Sequence, residues 1–109
     1  MSAYPALTLS GNGNSPLQRV TVPPTTYYGA SQAFLGLVGT VSSGATLTWK
    51  VQITADQNPA DGGNWNDHDV LVSKTASANG AQGYAITAYR LVVSGWSAGS
   101  VNLGVAQWP

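Results

Sequence analysis

Ala45, Leu47, Trp49, Val51 and Ile53 alternate with Thr46, Thr48, Lys50, Gln52 and Thr54. A period of two held this long marks a strand with one buried and one wet face. A second strand is predicted over Tyr84 to Ser94. There Tyr89, Leu91 and Val93 share one face, and Ile86, Ala88, Arg90 and Val92 share the other. Neither face is fully polar, so this strand is expected to be central or covered on both sides. A third spans Ser100 to Gln107, with Val101, Leu103, Val105 and Gln107 on its apolar side. Gly95-Trp96-Ser97-Ala98-Gly99 reads as the hairpin connection between the last two.

Weaker patterns place strands at Ala6 to Ser10, Leu17 to Val22, Ala33 to Thr40 and Asp69 to Ser73, with turns at GNGNSP, PPTT, SSG and Asn79-Gly80. Ala33 to Val41 has the length of a short helix, but its glycines oppose one. Seven to eight strands at this spacing predict one all-β domain over 1–109, an antiparallel, jelly-roll-like β-sandwich. Residues 1–26, rich in Gly, Asn and Pro, read as an extended arm, one that could reach a neighbour, plus the first strands.

Composition narrows the function. The chain has 109 residues, near the usual size of one domain, and only 7% of them are charged. Arg19, Lys50, Lys74 and Arg90 balance Asp56, Asp61, Asp67 and Asp69, and the net charge is zero. No basic field exists to gather phosphates, so nucleic acid is not an expected partner. A neutral surface favours self-association instead. Without cysteine there is neither a disulfide frame nor a thiolate metal site. No run of about 18 apolar residues and no positively charged leader occurs, so a cytoplasmic origin without membrane contact is expected.

The stretch from Asp56 to Asp69 holds every acidic residue and the only histidine. Its oxygens could serve a calcium ion, but the spacing lacks the Gly and terminal Glu of an EF-hand loop, and no metal or other cofactor is expected. Trp65 or Trp96 stacked on a sugar, with Asp and Asn on its hydroxyls, is one reading of this stretch. A solvated connection whose Trp65 folds back over the core edge is the other. His68 is the only candidate general base, and its neighbours Asp67 and Asp69 point elsewhere along an extended chain. No catalytic residue is expected and the chain does not read as an enzyme. Gly11 to Asn14 lacks the strand, lysine and helix of a phosphate cradle.

Arg90 in an apolar strand must be paired, with a loop aspartate of its own chain or with a group on a partner subunit. Tyr27, Tyr28, Trp65, Trp96 and Trp108 are the candidate partner-binding residues. Tyr27 and Tyr28 suit either a contact surface or a strand edge on the core, and Trp108 either packs back on its own domain or anchors into a neighbour.

The strand GATLTWKVQITAD, the loop with Trp65 and His68, and the segment AITAYRLVVSGWSAGSVNLGVAQ follow one another in an order that resembles the decoration, or cement, proteins of tailed-bacteriophage capsids. The resemblance covers residues 44–107. It implies Thr46 to Ile53, Arg90 to Val93 and Val101 to Gln107 as scaffold strands of a jelly-roll-like domain. It further implies a dimer or trimer on the exterior of the virion, assembled in the host cytoplasm. Such a protein docks on the major capsid protein and ties its subunits together against the pressure of packaged DNA. Another virion part (head-tail joining, tail or fibre protein) and a carbohydrate-binding module for host adhesion are the alternatives.

Overall fold

Two long stretches of chain, 34–54 and 88–108, run antiparallel as one ribbon that is folded double into a sandwich. A computed structural model describes residues 2–20, 34–82 and 86–108. Among these residues there are ten strands and no helix. The ribbon consists of β5 (Phe34–Val41), β6 (Thr46–Thr54), β9 (Ala88–Ala98) and β10 (Val101–Trp108). In sheet A, β5 pairs with β10, Val41 opposite Val101. In sheet B, β6 pairs with β9, Thr48 opposite Ser94. As many residues separate Val41 from Thr48 as separate Ser94 from Val101, so the two chains keep step across the fold.

At the corner the Ser42 amide donates to the Ser100 carbonyl (2.9 Å) and the Ser100 amide donates to Ser42 Oγ (2.9 Å). Gly99 has φ +88°, and a Cβ there would run into Ala45. Only glycine meets both demands. Leu47 alone spans the interval that Gly95, Trp96 and Ser97 fill on β9, so the register is irregular just below the corner. The glycine-rich segment 95–99 is therefore not a hairpin loop: β9 continues to Ala98, and β10 enters the opposite sheet. A chain that must cover two sheets turns between layers here rather than between neighbours.

The remaining segments line the ribbon's edges. β1 (Ser2–Ala3) and β2 (Leu7–Leu9) pair with β10, and β3 (Gly13–Asn14) and β4 (Gln18–Arg19) pair with β9. Pro5 and Pro16 interrupt these two rows, since proline offers no N–H to the ladder. Beside Pro16 the Leu91 amide donates to Ser15 Oγ (2.9 Å) instead of to a strand carbonyl. On the other side β7 (Asn66–Asp67) pairs with β6, and β8 (Ala78–Gln82) pairs with β5. The ten strands thus make eight rows, four per sheet, in an antiparallel sandwich. Residues 2–20 supply the edge rows beside β10 and β9.

Two expectations fail between β7 and β8. Asp69 to Ser73 is not a strand: the Val70 and Leu71 amides donate to His68 Nδ1 (3.1 and 3.0 Å), which bends the chain out of a ladder. Asn79-Gly80 is not a turn but the middle of β8. Gly80 is required there by packing, because a Cβ would lie 2.9 Å from Leu71 Cγ. The helix weighed for Ala33 to Val41 is a strand, β5.

The inner faces carry the periodicity of the sequence. Leu47, Trp49, Val51 and Ile53 meet Tyr89, Leu91 and Val93 on sheet B, facing Leu35, Leu37, Val101, Leu103 and Val105 of sheet A. Trp49 is fully buried, and its Nε1 donates to the Ala76 carbonyl (3.0 Å). Its six-membered ring lies on Gly39, where a Cβ would overlap Cη2 and Cζ2. Gly39→Ala is therefore expected to destabilise the domain by about 1–3 kcal/mol, read as a lower urea midpoint with unchanged slope.

Near the opposite end, Tyr89 meets Tyr4 edge to face (centroids 6.1 Å apart, 81° between planes), and Tyr4 donates its hydroxyl hydrogen to Gln107 Oε1. The Tyr89 hydroxyl is buried without a hydrogen-bond partner among the described residues. Burial, with Tyr4 nearby, pushes this phenol well above its ordinary 10.0. A raised value in the folded state means stabilisation that is complete below pH 10 and lost as pH climbs further. Tyr89→Phe should be neutral or stabilising at pH 7, because it removes an unsatisfied buried group. Melting curves across pH 9 to 11 should then show a shallower alkaline decline than the parent.

Candidate functional site

The two outer faces differ in chemistry. On sheet B, Lys50 and Gln52 of β6 stand beside Val92 and Arg90 of β9. The connection 55–65 lies against this face. Asp56 closes it, accepting from the Asn64 amide (2.9 Å) and from Asn64 Nδ2 (3.2 Å), which holds its carboxyl below the ordinary 3.8. The Gly63 amide and Trp65 Nε1 both donate to the Ala60 carbonyl (3.0 and 2.8 Å). Two donors on one acceptor fix the indole relative to the loop.

Beneath that indole lies Arg90, only 7% exposed, with its guanidinium carbon 4.3 Å from the centre of the Trp65 ring. Its Nη1 donates to the Asp61 carbonyl (3.1 Å) and its Nε to Gln52 Oε1 (2.9 Å). The Asp61 carboxylate stands 4.0 Å away. The charge is thus satisfied within the chain, mainly by a peptide carbonyl, an amide and a ring face rather than by a carboxylate. Gln52 Nε2 in turn donates to Asp67 Oδ1 (3.2 Å), which also takes Lys50 Nζ (3.0 Å). A continuous polar chain runs from Trp65 through Arg90, Gln52 and Asp67 to Lys50. Gln52 was not a candidate from sequence; only its position opposite Arg90 reveals it.

The other sequence candidates are scattered. Trp96 sits by the corner, half-buried, with its Nε1 on the Gly99 carbonyl (2.8 Å) and its amide on Asn12 Oδ1 (2.9 Å). Trp65 stands over Arg90, six residues earlier on β9 and so about 20 Å away. The two tryptophans do not share a site. Tyr27, Tyr28 and the side chain of Trp108 lie outside the described residues. His68 is buried, donating through Nε2 to the Ala81 carbonyl (3.0 Å) while Nδ1 accepts two amides. Asp69 Oδ1 at 3.4 Å from Nδ1 makes no ion pair, since that nitrogen is already an acceptor. Nε2 thus ties the end of β7 to β8 of the other sheet, and Nδ1 holds the bend that follows His68. Among the described residues no group of three or more His, Asp or Glu side chains is placed to hold a metal ion.

On sheet A the outward positions form registered rows across the strands. Ala3, Ala106, Gly36 and Ala81 make one, Gly104, Val38 and Asn79 the next, and Thr8, Asn102 and Thr40 a third. None is charged. All four basic and all four acidic side chains of the protein lie on sheet B or in the connection between β6 and β8. Among the described side chains of this face Val38 is the largest apolar one, and it is 48% exposed.

Lys50, then Gln52, hold the Asp67 carboxyl below its ordinary 3.8. A depressed value means stabilisation present above that pH and lost as pH falls below it. Asp67→Asn is expected to flatten part of the decline in melting temperature between about pH 4 and 2, to which Asp56 contributes in the same direction.

Compared with protein-family models, with curated proteins and with solved structures, the chain finds no match.

Proposed function

We propose that this protein is a non-enzymatic structural component of a tailed-bacteriophage virion, decorating the outer capsid surface and cementing neighbouring subunits of the major capsid protein. The observation that carries this reading is the segregation of charge, which leaves the outer face of sheet A without a single ionised side chain among the described residues. The described positions of Ala, Gly, Val, Thr and Asn can approach another protein closely and desolvate no charge in doing so. Four rows about 4.8 Å apart and some 25 Å long offer roughly 400 Å². That is about half of what one partner buries in a standard stable complex, so a single contact is weak. Linked contacts made by a dimer or trimer on a repeating shell add up to firm attachment, which is how a cement acts.

The test is cosedimentation of the purified protein with capsids that lack it, followed by heating. Binding is expected, with DNA release moved to higher temperature and little dependence on salt. Val38→Asp, which puts a charge in the middle of sheet A, should weaken binding by about tenfold or more, while Lys50→Gln on sheet B should not. No binding to the shell, or a loss caused by the sheet B change alone, refutes the reading. Hundreds of copies per particle fit decoration; a dozen or fewer point to a head-tail joining, tail or fibre protein.

A further inference from the structure

The outer face of sheet B carries a second site, independent of the role given to sheet A. Trp65 is half-buried, with one face of its ring on Arg90. The exposure it retains belongs to the opposite face and the rim. Its orientation is set at both ends, by Nε1 on the Ala60 carbonyl and by the guanidinium beneath. Arg90 is itself held by Gln52 and the Asp61 carbonyl. A ring locked in this way loses little freedom on binding, so the cost of ordering it is met in advance.

The surroundings select the ligand. A flat aromatic face attracts the weakly positive C–H groups on one side of a sugar ring, as it does the edge of another ring. Around it stand exposed acceptors and donors: Asp61, with 79% of its side chain exposed, Asp67 at 44%, and exposed Asn64. Carboxylates accept from hydroxyls, and amides both donate and accept. Two ligand classes are disfavoured by charge. An anion would face Asp61 and Asp67 with no uncommitted cation, because Lys50 is on Asp67 and Arg90 lies under the ring. A cation stacked on the open face would meet the Arg90 charge through the ring. A neutral, polyhydroxylated ring meets neither penalty.

We infer that Trp65, backed by Arg90 and flanked by Asp61, Asn64 and Asp67, is a stacking platform for a neutral pyranose unit of a polysaccharide. Trp96 takes no part in it, tied as it is to the corner. Binding through one platform is weak, in the millimolar range, and gains strength when many copies face the same polymer.

The probes are cellohexaose, maltohexaose and chitohexaose, titrated into the isotope-labelled full chain and followed by amide and indole N–H shifts. At least one is expected to shift the Trp65 indole signal and the Asn64 amides, leaving the Trp96 indole still. Trp65→Ala should weaken binding by about tenfold or more, and Trp65→Phe should retain part of it. Should Trp65→Ala fail to fold, the shift pattern of the parent and the Trp65→Phe affinity decide. The proposal is overturned if none of the three sugars moves the Trp65 indole at millimolar concentration. It is equally overturned if binding survives Trp65→Ala intact, or if choline, a heparin hexasaccharide or a single-stranded oligonucleotide binds there more tightly. Val38→Asp should leave the shifts unchanged, so this result and the capsid result stand or fall separately.

Discussion

A ribbon of two antiparallel segments can bury one face of each half only by folding without losing step, and everything else in this molecule rests on the corner where it does so. Ser42 and Ser100 exchange hydrogen bonds across the bend, and Gly99 lets Ala45 come into contact where any side chain would push the two segments of the ribbon apart. Because the count of residues is equal on both chains, Val101, Leu103 and Val105 continue onto sheet A the inward alternation that Tyr89, Leu91 and Val93 begin on sheet B. A slip of one residue on either side would turn one inner face outward.

With the corner set, the spacing of the layers is decided by one large and one absent side chain. Trp49 reaches across to the bare backbone of Gly39, and Leu71 and His68 do the same at Gly80. These contacts position the chain between β7 and β8, whose bend His68 holds through Nδ1 while its Nε2 reaches β8. The histidine thus serves packing at the edge of the sandwich, away from the face where the acidic loop gathers.

The outer faces have no common task to hold them alike, and they diverge. Sheet B carries charge, and because Arg90 needs partners in a half-apolar strand, the loop with Asp61 and Trp65 is drawn down over it. The exposed tryptophan is therefore oriented by the demand of a buried charge. Sheet A has no such demand and presents small uncharged side chains in register. One molecule carries an uncharged outer face on one sheet and a tryptophan set among polar groups on the other.

Period-two alternation determined β6, the inner sides of β9 and β10, and the all-β class, because a strand's side chains take opposite faces regardless of which strand lies next to it. Low charge and the need of Arg90 for a partner were likewise legible. Which partner it took was not, since Gln52 and the Asp61 carbonyl are brought to it by cross-strand register and loop closure, both long-range events. The same holds for segment 95–99, whose glycines mark a bend but not whether it leads to a neighbour or to the opposite layer. Asn79-Gly80 has the composition of a turn and became the middle of β8 because Leu71 needed the space. Likewise, 36, 38 and 40 and 102, 104 and 106 are only alternate small residues until pairing sets them side by side. Local pattern decides which way a side chain points; only the packed sheets decide what it meets.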